Sequence, residues 1–332
     1  MKAIVQDRYG TSDVLTLREV DVPKIAETEV LVRVVTASLE RGVSHLMTGL
    51  PYPVRLAGYG VRAPKMATPG RELAGVVEAV GSLVTRFAPG DEVFGIGSGA
   101  CADFAVAPED KLCAKPANLT FEQAATLGVS ALTALQVVRD KAAVRPGDRV
   151  LVIGASGGVG SFAVQIAKSY GAHVTGVAST SKIDLVLDAG ADAAIDYSRS
   201  DFADGSEKYD VIIDTGGNTS LTRLRRALTA TGTLVIVGGE TGGRILGGFD
   251  RGFRAIALSP FVGQTMKAPI CTENLADLLV LGELAQSGVI VPVIDRTFTL
   301  EQTPQAIDHM ERGRARGKVI IGVAASGDTV DS

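Results

Sequence analysis

The run Ala155-Ser156-Gly157-Gly158-Val159-Gly160 places small residues at a spacing suited to holding phosphate. It follows the apolar stretch Arg149–Ile153 and opens an amphipathic one, Gly158–Ser169. To bind a pyrophosphate, backbone must come close, N–H groups at a helix start must point at it, and the helix must pack tightly on the preceding strand. A glycine-rich hexapeptide alone could equally be an ordinary turn. The strand before it, the helix after it and a further strand at His173–Val177 select dinucleotide binding. Ala155 replaces the first glycine of the pattern, which a tight turn accepts if φ stays negative.

About twenty residues beyond the last motif glycine, an acid usually binds the adenosine ribose hydroxyls of NAD. This chain has Ser179 there, followed by Thr180, Ser181 and Lys182, with no acid between Gly171 and Ile183. Hydroxyls and an ammonium suit a 2′-phosphate, which brings charge and acceptor oxygens. The expected cofactor is NADPH, the alternative being a solvated turn that holds a lysine by chance.

The elements that must position these residues fall into two textures. Up to about residue 120, EVLVRVVTAS, AGVVEAVG and DEVFGIG alternate β-branched and small residues, punctuated by Pro69-Gly70 and Pro89-Gly90-Asp91, as in a compact β-barrel. From Phe121 to Asp140 the apolar spacing is helical. Strands are then expected at 149–153, 173–177, 193–196, 210–214 and 233–238, with helices at 158–169, 181–189 and 220–228, which reads as a doubly wound parallel sheet. A helix near 273–286 precedes a strand–helix–strand tail over 293–299, 302–312 and 318–323. That tail is too short for a domain and is expected to rejoin the first. The predicted division is 1–122 with 293–332 against 123–292, and the final SGDTVDS is expected to fray.

Composition narrows the functional classes. Apolar residues make up 46% and charged residues 21%, as in an ordinary globular enzyme. A net charge of −4 offers no broad basic face to nucleic acid or an anionic membrane. No stretch reaches the roughly 18 apolar residues of a membrane span, and the N-terminus has no apolar signal core. Cys101, Cys113 and Cys271 lie far apart with no C-x-x-C pair, which fits a reducing cytoplasm.

PGRELAGVVEAVG (69–81), FAPGDEVFG (87–95), GASGGVGSFAVQIAKSYGA (154–172), GADAAIDY (190–197), GTLVIVGG (232–239) and GRARGKVIIGV (313–323) together resemble the medium-chain dehydrogenase/reductase superfamily, most of all its zinc-independent quinone oxidoreductase branch. The resemblance covers nearly the whole chain. It implies an α/β chain with a GroES-like catalytic domain, a six-stranded Rossmann domain and NADPH in the cleft between them. It further implies Gly157, Gly158 and Val159 at the pyrophosphate, and Ser179 and Lys182 at the 2′-phosphate with Tyr197 beside it and Arg316 closing over it. Thr133 and the backbone at Val237-Gly238-Gly239 would meet the nicotinamide end. On its residues alone, Tyr197 is equally a half-buried strand-end aromatic.

Zinc-dependent relatives need a thiolate, an imidazole and a third ligand around an open metal position. The matching positions here are Glu40, Arg71 and Leu127, and neither a guanidinium nor an alkyl chain binds a metal, so no metal is expected. Quinone oxidoreductases commonly carry Asn and Asp where this chain has Glu40 and Val43. One expectation is that Glu40 and Arg71 form an ion pair; the alternative is two independent surface charges.

A hydride donor without a Lewis acid favours acceptors that are already electrophilic, namely quinones and α,β-unsaturated carbonyls. Candidate catalytic residues are Glu40, His45 and Tyr52; a lone histidine such as His45 is more often a packing or surface residue, and Tyr52 reads equally as loop packing. Tyr59 is placed at the mouth of the cleft, and Gly238–Gly248 resembles a mobile flap with Phe249 and Phe261 following. Two other classes stay open: a reductase for a specific biosynthetic enone or enoyl thioester, and an NADPH-binding protein without catalysis. The apolar run Ala255–Leu258 is expected to be an edge strand, which together with the resemblance predicts a homodimer.

Overall fold

Alternating apolar and small residues make the N-terminal third of the chain a β structure, and regular alternation of strand and helix makes the middle a parallel sheet. The computed structural model describes residues 1–239 and 243–323. In chain order its principal elements begin with β1 (Lys2–Val5), β2 (Thr16–Glu19), β3 (Glu29–Leu39), α1 (Arg41–Thr48), β4 (Glu72–Val80), β5 (Glu92–Ile96), β6 (Phe104–Pro108) and β7 (Leu112–Ala114). Next come α2 (Phe121–Ala125), α3 (Leu132–Gln136), β8 (Arg149–Ile153), α4 (Gly158–Ser169), β9 (His173–Ala178), α5 (Ile183–Asp188), β10 (Ala193–Asp196) and β11 (Tyr209–Asp214). The remainder are α6 (Leu221–Ala227), β12 (Leu228–Ile236), α7 (Phe249–Leu258), β13 (Thr265–Lys267), α8 (Leu275–Gln286), β14 (Ile294–Thr299), α9 (Thr303–Glu311) and β15 (Lys318–Gly322).

The chain divides into two compact units, one of Met1–Val129, Glu273–Gly288 and the segment from Ile294, the other of Ser130–Thr272 and Val289–Val293. In the first, β3 runs antiparallel to β4 along one edge. Its other edge is shared: Glu29–Arg33 pair with β6 and Thr36–Leu39 with β15. Continuing through β5 and β7 on one side and β14 on the other, this gives a seven-stranded sheet. Val32, Val34, Leu39, Leu73, Val93, Leu112 and Ile321 fill its core. The return through β14, α9 and β15 is a parallel pair joined by a helix. Helix α8 also belongs to this unit, although the sequence expectation ran the second domain through 292. Asn118 donates to the Ala285 and Gln286 carbonyls, and Arg71 and Lys111 both hold Glu273.

The second unit is a six-stranded sheet in the order β10-β9-β8-β11-β12-β13, every pair parallel. The chain starts at β8, winds out to β10, and returns to β11 before winding the other way. The strand order therefore reverses between β8 and β11, where doubly wound sheets bind ligands beyond the strand C-termini. Leu151, Ile212 and Leu234 are fully buried, as strands covered on both faces require.

Two elements differ from expectation. The run from Phe121 to Asp140 is not one continuous α-helix: α2 and α3 are each followed by wide, π-type turns, at Leu127–Ala131 and Val137–Ala142. Ala255–Leu258 is the end of helix α7, not a strand. Phe249, Phe253 and Ile256 recur at helical spacing and are exposed, while Gly252 and Ala255 turn inward. The strand that follows β12 is β13.

Candidate functional site

In the second unit, the glycine-rich turn joins β8 to α4. The left-handed conformation falls on Gly154 (φ 79°), and Ala155 is not among the positive-φ residues, so alanine is accommodated as its conformation requires. The N–H groups of Gly154 and Ala155 both donate to the Val177 carbonyl on β9, at 3.1 and 3.2 Å. Gly157 caps α4 in an extended conformation; its N-cap has no side-chain hydrogen bond, and no acid lies in the first turn. The N-terminus of a twelve-residue helix thus keeps its N–H groups and its positive end for an anion. A Cβ on Gly160 would stand 2.1 Å from the Gly154 carbonyl oxygen. Closeness of helix to strand is therefore a requirement met only by glycine at that position. Ala155 and Ser156 are buried, and Gly157–Val159 line the turn. The residues present fit a dinucleotide pyrophosphate.

At the neighbouring strand ends, Ser179 directly follows β9 and precedes the tight turn Thr180–Lys182, where the Lys182 N–H donates to the Ser179 carbonyl at 2.9 Å. Tyr197 directly follows β10 and is 63% exposed, its N–H bonded to the Ala178 carbonyl at 3.2 Å. It is thus not a half-buried packing residue, and it stands beside Ser179.

One residue here was not singled out from sequence. Asp196, at the end of β10, accepts from the Thr180 hydroxyl at 2.5 Å and from both the N–H and hydroxyl of Ser198, at 2.9 and 2.6 Å. Arg199 approaches it at 3.6 Å. The Ser198 and then the Thr180 hydrogen bonds hold its carboxyl below the usual range. An acid is therefore present at the adenosine end, supplied by β10 rather than β9. Its two oxygens brace the turn through Thr180 and Ser198. Its only sequence signal was its place in GADAAIDY.

At the C-terminal ends of β11 and β12, the Val237 N–H donates to the Asp214 carbonyl at 2.9 Å. Gly239 lies against Gly248 backbone to backbone: a Cβ on Gly239 would meet the Gly248 carbonyl carbon at 2.9 Å. The expected flap falls partly at 240–242, outside the described residues; Ile245, Phe249 and Phe261 beyond it are exposed. The tail SGDTVDS also lies outside them. Thr133 sits on α3, its carbonyl facing the Cys271 thiol at 4.0 Å.

The first unit holds the other candidates. Glu40 is the N-cap of α1 and accepts from the Gly42 N–H with one carboxyl oxygen; the other is buried without a partner. Burial first, and then the Glu72 carboxylate, push its pKa up. The expected Glu40–Arg71 ion pair is not formed. Arg71 instead reaches Glu273 at 2.5 Å, which Lys111 also holds at 2.9 Å. The physical reason is local: Lys318 rather than Arg71 fills the space beside Glu40, pairing with the fully buried Glu72 and donating to the Leu39 carbonyl at 3.0 Å. Nor are Glu40 and Arg71 two independent surface charges, since both are held inside the unit.

His45, on α1, bonds the Leu50 carbonyl through Nδ1 at 2.9 Å. A carbonyl only accepts, so Nδ1 is the donor in this bond. Tyr52 is 41% exposed, with the Arg55 guanidinium over its ring at 5.1 Å. The Tyr59 carbonyl accepts from the Tyr9 hydroxyl. Arg316 lies half-buried in the turn that leads into β15. Leu127 is fully buried, and among the described residues no group of three or more His, Cys, Asp or Glu could hold a metal ion.

A parallel nucleotide-binding sheet with a phosphate turn at its switch point, carried with an antiparallel barrel-like unit, defines a class of two-domain oxidoreductases. Residues 26–128 match the model for the alcohol dehydrogenase GroES-like domain and residues 189–321 that for zinc-binding dehydrogenases. The chain is 33% identical to a 2-methylene-furan-3-one reductase of Solanum lycopersicum, over 97% of this chain and 79% of that protein. It is also 33% identical to an NADPH-dependent alkenal/one oxidoreductase, chloroplastic, of Arabidopsis thaliana, with shares of 97% and 79%. Among solved structures, the quinone oxidoreductase of Coxiella burnetii superposes with a TM-score of 0.86 at 28% identity, covering 98% of this chain and 99% of the other. The chain belongs to the medium-chain dehydrogenase/reductase superfamily, in its quinone oxidoreductase-like branch.

Proposed function

We propose that this protein is an NADPH-dependent reductase that delivers hydride to a quinone or an α,β-unsaturated carbonyl without a metal ion. The observation that carries the cofactor assignment is the adenosine-end rim: Ser179, Lys182 and the exposed Tyr197 lie at the strand ends beside a turn that Asp196 braces with both carboxyl oxygens. Relatives named as quinone and alkenal/one oxidoreductases support the substrate class. The donor set supports the metal-free reading, because Arg71 and Leu127 carry no ligating atom.

When bound, NADPH supplies the hydride. Gly157, Gly158 and Val159 would hold its pyrophosphate at the start of α4, and Ser179, Lys182 and Tyr197 would hold the 2′-phosphate. Thr133 and the backbone of Val237–Gly239 would orient the nicotinamide end. The acceptor oxygen that gains charge needs a proton. Tyr52 is the proposed donor, since its side chain is exposed, whereas the His45 Nδ1 proton is committed to Leu50 and Glu40 is turned inward. Glu40 serves by capping α1.

A second copy of the chain would cover the free edge of β13 and the exposed Phe249, Phe253, Ile256 and Phe261, giving a homodimer; sedimentation at micromolar concentration tests it. The free thiols, Cys101 and Cys113 buried, suit a reducing compartment, here the cytoplasm, which cell fractionation checks.

The deciding experiment follows NADPH and NADH oxidation with 1,4-benzoquinone, 9,10-phenanthrenequinone and a simple enone, with and without chelator. Chelator-insensitive turnover preferring NADPH is expected. Turnover lost to chelator, or a preference for NADH, would sink the proposal. Lys182→Ala should cut the NADPH preference by roughly 10-fold, the worth of one charge-assisted hydrogen bond.

A further inference from the structure

The ends of β11 and β12 are joined by a residue with no part in the dinucleotide motif. Arg251, in the first turn of α7, is 13% exposed and reaches back to three acceptors on two loops. Nη1 donates to Asp214 Oδ2 at 2.5 Å and to the Thr219 carbonyl at 2.8 Å, and Nη2 donates to the Gly238 carbonyl at 2.9 Å. Asp214 is fully buried, and its other oxygen accepts from the N–H groups of Gly216 and Gly217, at 3.1 and 3.2 Å. The next residue, Thr215, bonds the Ile153 and Gly154 carbonyls at the end of β8. One guanidinium and one carboxylate thus fix the backbone of 215–219 and 237–239 beside the glycine turn, at the crevice where the strand order reverses. Arg251 Nε is buried without an acceptor. A donor left unpaired is costly, so the position is not one that simply satisfies an arginine. What the arginine supplies is a planar fork spanning an acid and two carbonyls, which a point charge does not reproduce. Nη1 spends both its hydrogens on Asp214 and Thr219, and Nη2 donates to Gly238, so the fork is engaged with the protein.

We propose that Arg251 is a positioning residue that presets the nicotinamide end of the nucleotide site by locking the 215–219 and 237–239 loops to Asp214; this rests on the NADPH reading above. Its effect is confined to one end of the cofactor. The adenosine end, at Ser179–Lys182 and Tyr197, is braced separately by Asp196.

The test is calorimetric titration of wild type, Arg251→Met and Arg251→Lys with NADPH and with 2′,5′-ADP, a fragment that occupies only the adenosine end. Arg251→Met is expected to weaken NADPH about 10-fold or more and to leave 2′,5′-ADP within about twofold of wild type. Arg251→Lys keeps the charge opposite Asp214 and should fold even if the methionine variant does not; it should recover only part of the NADPH affinity. Unchanged NADPH binding in either variant overturns the proposal. So does equal weakening of NADPH and 2′,5′-ADP, which would mean general loosening of the unit. Wild type that binds neither ligand removes the NADPH reading itself, and the proposal with it.

Discussion

Glu72 and Lys318 meet inside the first unit with almost no exposure, 0% and 1%, and the energetic meaning of such a pair lies in its removal. A buried pair adds little over apolar residues of the same shape, but deleting one partner strands a charge at about 3–5 kcal/mol. Lys318→Met should therefore lose stability on that scale in urea unfolding. The double variant Glu72→Met/Lys318→Met should recover most of it; equal losses in the two would contradict the account. Beside that pair, Glu40 and Glu273 titrate in opposite senses. Burial, with the Glu72 carboxylate second, raises Glu40, so the folded chain holds that proton more tightly than the unfolded one. Its favourable contribution is present at low pH and lost as pH rises through the raised value. Burial alone would raise Glu273 too, but hydrogen bonding from Lys111 and the charge of Arg71 outweigh it and lower the pKa. Its contribution is present above the ordinary carboxylate range and lost as pH falls. Glu40→Gln should therefore gain stability over wild type as pH goes from about 5 to about 8, read from urea midpoints; parallel curves would refute the buried-acid account.

Helix α4 depends on how closely it can approach β8. With a Cβ on Gly160 falling 2.1 Å from the Gly154 carbonyl oxygen, Gly160→Ala must move the helix start or the strand end. Overpacking of this kind costs roughly 1–3 kcal/mol and should displace the turn that receives the pyrophosphate, so NADPH affinity should fall more than 10-fold. At Gly157 the added atom would sit 3.3 Å from the same oxygen, a contact that small shifts relieve. Gly157→Ala should cost less on both counts, and comparing the two variants by calorimetry and thermal unfolding checks the order. The same element scale explains a misreading. Ala255–Leu258 is a short apolar run, which periodicity cannot assign on four residues; extended back to Phe249, its apolar spacing becomes helical. α2 carried a complete start signal, Thr120 followed three residues later by Gln123, which form a capping box.

For the whole molecule, the nucleotide-holding elements β8–β13 all lie in the second unit, so ligand linkage should act there first. NADPH at about 100 times its Kd stabilises by about 2.7 kcal/mol. Scanning calorimetry should show the transition of the second unit moving up with NADPH more than that of the first. A uniform shift would place the ligand's hold elsewhere. The sequence by itself determined the class: the β-rich first third, the β8-turn-α4 unit, the strand and helix alternation and the hydroxyl-and-lysine ending after β9 are all carried by consecutive residues. Periodicity, turn chemistry and helix starts are local, so adjacent side chains suffice to specify them. Only the tertiary structure decided which charges meet. Arg71 finds Glu273 across 202 residues, Lys318 finds Glu72 across 246, Asp196 turns to Thr180 across a strand pairing, and Arg251 folds back on Asp214 from α7. Such partners are chosen by strand register and by the cost of leaving a buried charge alone, neither of which is written in neighbouring residues.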